Sequence, residues 1–231
     1  LKILKSNHVY SEEMEHDACG VGLVASTEGL KSRKVVEYGI DALKAVWHRG
    51  AIDADGKTGD GAGIHIEIPK DFFEEKIEVT GHKHDNSELC VGMIFLPRND
   101  YSAQEQCRTI VESELTKRNF SIYGWRQVPV DPSVLGEKAE QTRPEITQVL
   151  FTYNDKKVVN KSLEQKLYET RRVIEKEALN NQLNNFYICS FSSKSIIYKG
   201  MFLAEALSDF YTDLKDERFI SRYAIFHQRF S

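Results

Sequence analysis

Apolar and polar positions in this chain follow two rhythms. Short runs at 64–68, 89–96, 120–128, 146–153, 186–191 and 195–198 have the length and the β-branched or aromatic content of strands. The run 20–26 is almost continuously apolar, which predicts a strand buried on both faces. A last strand is predicted over 222–230, ending at Arg229. Three longer stretches repeat apolar residues at helical spacing. Val35, Val36, Ile40, Leu43 and Val46 mark a helix over 33–46 with Ser32 as its N-cap. Cys107, Ile110, Val111 and Leu115 mark one over 101–118, and Leu163, Leu167, Ile174 and Ala178 one over 163–183. Shorter helices are predicted at 71–76 and around Leu203 to Phe210. Residues 47–63 are too rich in glycine and aspartate for an element, and 129–144 reads as an irregular surface crossing. The pairing of 186–191 with 195–198 around Ser192-Ser193-Lys194 reads as hairpin-like, so a purely parallel sheet is not required and the class is α+β.

Length and charge narrow the functions open to this pattern. At 231 residues and 41% hydrophobic content, one sizeable domain is expected. A net charge of -4 with interspersed signs offers neither a basic stripe for nucleic acid nor a polybasic membrane patch. No apolar run approaches the roughly 20 residues that span a bilayer, and the first six residues lack a secretion signal. Cysteines 19, 90, 107 and 189 have no CxxC spacing, which predicts reduced thiols in a cytoplasmic compartment.

Candidate chemistry is sparse. The glycines of 47–63 match neither a dinucleotide nor a Walker fingerprint, and their acidic neighbours lack the EF-hand glutamate. His82 and His84 have poor metal spacing and read as solvated, no GxSxG surrounds Ser192 and Ser193, and Arg171-Arg172 is a solvated helix face. Cys19 is the exception. It stands between a polar run and Gly20-Val21-Gly22, and once Ala18-Cys19 is cleaved its own α-amine would serve as the base for its thiol. Glycines on either side of Val21 would let a substrate approach. On spacing alone a packed, inert cysteine remains open.

Four blocks in one order carry a resemblance: Cys19-Gly20-Val21-Gly22; Trp47-His48-Arg49-Gly50-Ala51 with Gly59-Asp60-Gly61-Ala62-Gly63; Ser192-Ser193 to Tyr198-Lys199-Gly200-Met201; and His227-Gln228-Arg229-Phe230-Ser231. Together they resemble the class II glutamine amidotransferase domain of glutamate synthase large subunits, an N-terminal-nucleophile hydrolase. The resemblance implies a four-layer αββα sandwich, with residues 1–18 a propeptide and 19–231 part of the amidotransferase domain. Without it, 1–18 reads as a solvated arm. It implies Cys19 as catalytic nucleophile, Arg229 as the clamp on the substrate carboxylate, and Arg49 near the nucleophile; Arg49 as a plain ion-pair partner stays open.

By the same resemblance the function is glutamine hydrolysis supplying ammonia for glutamate synthesis from 2-oxoglutarate. The partners would be glutamine, the remaining synthase domains and an electron-donor subunit or ferredoxin. No cofactor is expected in this chain, with FMN and an iron-sulfur cluster expected elsewhere in the full enzyme. A plastid location applies if the source is a plant or alga. The family's oxyanion donor lies in an Asn-Gly pair after the His-x-Arg-Phe-Ser block. None occurs in these residues, so a C-terminally truncated piece, with its last strand at an unfinished sheet edge, is expected. Two alternatives stand beside this reading: another class II amidotransferase, of the phosphoribosyl-pyrophosphate or glucosamine-phosphate kind, and a non-catalytic glutamine-binding module.

Overall fold

A computed structural model describes residues 20–47, 50, 52–84, 87–155, 157 and 161–229. Eight strands form two antiparallel four-stranded sheets. The first has the order β1 (Gly20–Ala25), β8 (Tyr223–Gln228), β2 (Ala62–Glu67), β7 (Ser195–Gly200). The second has the order β4 (Phe120–Gln127), β5 (Glu145–Tyr153), β3 (Leu89–Leu96), β6 (Tyr187–Ser192). The helices are α1 (Arg33–Ala45), α2 (Lys70–Val79), α3 (Tyr101–Lys117), α4 (Glu137–Thr142), α5 (Lys161–Asn180) and α6 (Leu207–Phe210). The class is therefore α+β, as the pattern of runs predicts.

Strand alternation sorts the side chains into two cores. Ile64, Ile66, Ile196, Tyr198, Ala224 and Phe226 of the first sheet meet Val36, Ile40 and Leu43 of α1 and the Leu89, Val91, Met93 and Leu150 face of the second sheet. The opposite face of the second sheet buries Ile94, Val149 and Phe151 under Val111 and Leu115 of α3 and Leu167 and Ile174 of α5. Ser32 caps α1 as its sequence predicts, accepting from Lys34 N. Gly39 lets that helix sit close on β8, because a Cβ there would lie 2.5 Å from Ala224 Cβ.

A buried polar cluster ties the sheets together. Tyr198 of β7 donates to Asp213 Oδ2 at 3.1 Å and accepts from Gln148 Nε2 of β5 at 3.1 Å. Arg126 of β4 grips both Asp213 oxygens, at 2.5 and 2.8 Å. Tyr198, Gln148, Arg126 and Asp213 thus each find a charged, amide or hydroxyl partner, which is the condition for burying them.

Five expectations are corrected. First, β1 is buried on one face only: Val21 and Leu23 are 62% and 63% exposed. Continuous apolarity misleads there because the inward positions carry glycine. Gly22 is filled by a neighbour, since a Cβ would lie 2.2 Å from Phe226 Cζ, so its openness admits a core ring and not a substrate. Second, β6 and β7 are joined by a tight turn but belong to different sheets. Glu164 pins that turn, accepting from Ser192 Oγ, Ser193 N and Ser193 Oγ at 2.8 to 2.9 Å. Third, β8 is no edge strand, being paired on both sides by β1 and β2. Fourth, the 129–144 crossing contains α4 and a 3-10 turn at Pro132–Val134, started by Asp131. Fifth, His84 is not solvated: its side chain is 8% exposed, with Nδ1 3.2 Å from Glu74.

Candidate active site

Three segments converge at one end of the first sheet. β1 starts at Gly20, β8 ends at Gln228, and β2 starts at Ala62, and these three residues lie in one register row. The positions that flank this row are Cys19, Arg229 and Gly61. Cys19, Arg49 and residues 1–18 lie outside the described residues. The structure describes their neighbours, and Arg229 itself.

Arg229 is held from two sides. Its backbone N–H donates to Gly61 O at 2.8 Å, and its Nε lies 3.2 Å from Asp60 Oδ2. Its φ of 94° is in the left-handed region, which a side chain of this size adopts only where surrounding contacts enforce it. Its side chain is 60% exposed beside Asp60. Sequence reasoning located Arg229 and missed Asp60 as its partner. The signal available was an acid between two glycines, a loop that can bring a carboxylate close to a strand end.

The glycine-rich segment before β2 is built, not slack. Ile52 and Gly59 form a bridge, and Asp53 N–H donates to Thr58 O. Asp55 accepts from the Thr58 side chain and from the Thr58 and Lys57 amides, and these bonds hold its carboxyl far below the usual range. Lys138 of α4 reaches Asp53 at 2.7 Å, and Gly136 gives the room that Asp55 and Thr58 occupy. The helix missed in 129–144 is therefore the prop of this loop.

On the sheet face that carries Val21, His227 of β8 stands over Gly63 of β2, with Lys199 of β7 on its other side. Burial, with the Lys199 charge adding to it, pushes the His227 imidazole below its ordinary value, so the neutral ring is favoured at neutral pH. The other face of the same strand turns Gln228 inward, where it is 2% exposed.

The remaining thiols are chemically quiet. Burial raises Cys90 well above the ordinary cysteine value, Cys189 to about 12 and Cys107 to about 11. Among the described residues there is no cluster of His, Cys, Asp or Glu that could hold a metal ion, and no helix long and apolar enough to cross a membrane.

A family model described as class II glutamine amidotransferases matches residues 19–231. The chain is 56% identical over 228 residues to the glutamate synthase [NADPH] large chain of Azospirillum brasilense, covering 99% of this chain and 15% of that one. It is 38% identical over 218 residues to ferredoxin-dependent glutamate synthase 2 of a Synechocystis strain, covering 94% and 14%. Against the glutamate synthase [NADPH] large chain of Bacillus subtilis it is 35% identical over 230 residues, covering 98% and 15%. The chain thus spans about 15% of the length of these relatives. The family match takes in every described element, and the chain belongs to the class II glutamine amidotransferases.

Proposed function

We propose that this chain is the glutaminase part of a glutamate synthase, releasing ammonia from the glutamine side chain for glutamate synthesis from 2-oxoglutarate. The observation that supports this reading is the register of Gly20 opposite Gln228, which pairs the chain neighbours of Cys19 and Arg229 on adjacent strands.

In this reading residues 1–18 are a propeptide, 19–231 belong to the amidotransferase domain, and the two sheets are the inner layers of a four-layer N-terminal-nucleophile sandwich. The exposed Val21, Leu23 and Ile225 support this, since a sheet face with such residues fits a covering layer. The freed Cys19 amine accepts the thiol proton, and sulfur attacks the amide carbon. The tetrahedral intermediate expels ammonia, and water then hydrolyses the γ-glutamyl thioester to glutamate. Arg229 offers parallel N–H donors to the substrate α-carboxylate, with its Nε braced by Asp60. Arg49 helps hold the nucleophile's geometry.

FMN and an iron-sulfur cluster would belong to other synthase domains, with a ferredoxin or a reductase subunit supplying electrons. The three described cysteines do not fit a cluster: Cys90 and Cys107 are buried in one core and Cys189 in the other.

Intact mass spectrometry before and after 6-diazo-5-oxo-norleucine, a glutamine mimic that alkylates the nucleophile, tests the reading. Loss of residues 1–18 and one adduct on Cys19 are expected. An uncleaved chain without adduct, in the complete polypeptide, would leave a non-catalytic glutamine-binding module.

A further inference from the structure

Gln228 carries a buried group that the mechanism above leaves unused. It is 2% exposed, and neither its Nε2 nor its Oε1 has a hydrogen-bond partner among the described residues. A primary amide brings two donors and two acceptor lone pairs into the interior, and leaving them unmet is unfavourable. An apolar side chain of the same length would avoid that loss. The position of the amide says what it faces. Its backbone pairs with Gly20 on one side and Ala62 on the other, and its side chain lies against Gly50, where a Cβ would stand 2.1 Å from Nε2 and 3.1 Å from Cδ. The Gly50 N–H donates to Trp47 O at 3.0 Å. Gln228 therefore lies between the residue after Cys19 and the residue after Arg49, on the sheet face behind the one that carries His227.

We propose that Gln228 is a positioning residue of the glutamine site: its carboxamide bonds the backbone of Gly50 when glutamine is bound, holding Gly50 against the start of β1. The inference rests on the glutaminase reading of Cys19 and Arg229. Because Gln228 faces away from His227, it acts through Gly50 and does not touch substrate. Bonds that form only in the substrate complex add to substrate affinity, so their loss falls on KM.

The test is Gln228→Met in the complete polypeptide, which keeps side-chain length and removes the amide. Glutaminase kinetics and the melting temperature without glutamine are measured beside the unsubstituted protein. The expected result is a KM raised about ten-fold or more, kcat within about three-fold, and a melting temperature unchanged or raised. Kinetics within about two-fold of the unsubstituted protein would overturn the proposal, as would a fall confined to kcat. A variant that melts lower or does not fold would also overturn it, since the amide would then serve the resting fold. If the unsubstituted protein neither hydrolyses glutamine nor takes the diazo-ketone adduct, the glutaminase reading itself fails, an outcome distinct from an active enzyme indifferent to Gln228.

Discussion

Gly20 and Gln228 face each other across the β1–β8 pair, although 208 positions separate them in the chain (228 − 20). That pairing makes the start of one strand and the end of another a single edge of the first sheet. The segment before β2 joins them through Gly61, which accepts the Arg229 N–H. The candidate chemistry sits where three chain segments end, a place where backbone can depart from the ladder without breaking it.

Arg229→Lys is expected to raise KM for glutamine about ten- to a hundred-fold, the equivalent of losing one charge-assisted hydrogen bond, with a smaller change in kcat. Steady-state glutaminase assays check this. Lysine reproducing the arginine KM would sink the carboxylate-clamp role. Asp60→Asn, which weakens the brace on Nε, is expected to shift KM in the same direction by less.

Thiol labelling should single out Cys19. At pH 7.5 a soluble maleimide is expected to modify it within minutes in the folded protein, while Cys90, Cys107 and Cys189 react only on unfolding, because burial keeps them protonated. Peptide mapping of the native and denatured protein reads this out. Early labelling of Cys90 or Cys189 would contradict the packing described.

Gly39→Ala tests the contact of α1 with β8. Alanine is the better helix former by about 1 kcal/mol. Its methyl would nevertheless lie 2.5 Å from Ala224 Cβ, and forcing α1 off the sheet is expected to cost about 1–3 kcal/mol. Denaturant unfolding of the two proteins decides which effect wins.

The inter-sheet cluster makes a paired prediction. Asp213→Ala leaves the largely buried Arg126 without its carboxylate and is expected to destabilise by about 3 kcal/mol. Tyr198→Phe removes one hydroxyl between Gln148 and Asp213 and is expected to cost about 1–2 kcal/mol. Equal losses in equilibrium unfolding would mean that the ion pair is not the stronger link.

Acid should weaken the fold partly through Asp216. The bidentate Arg218 guanidinium holds its carboxyl down at about 2, from an ordinary 3.8. A depressed carboxyl stabilises the folded state fully above the unfolded value and loses that contribution as pH falls from about 4 toward 2. Unfolding midpoints measured from pH 5 to pH 2.5 should fall less steeply in Asp216→Asn than in the unsubstituted protein. Parallel slopes would remove Asp216 from the acid response.

The amino-acid sequence by itself determined the strands, the longer helices and the order of the blocks around Cys19, Arg49 and Arg229. Those features are local: β3 matches its run at Leu89–Leu96 and α1 starts at the cap Ser32, because propensity, periodicity and capping act over a few neighbours. Only the tertiary structure decided which strands pair, and with it that β6 and β7 part into two sheets and that β8 lies between β1 and β2. It also decided that Asp60 meets Arg229, that Phe226 fills the space over Gly22, and that Gln228 is buried without a partner among the described residues. These relationships join residues distant in the chain through ladder register and side-chain volume, and neither quantity is written in the spacing of apolar residues along one segment.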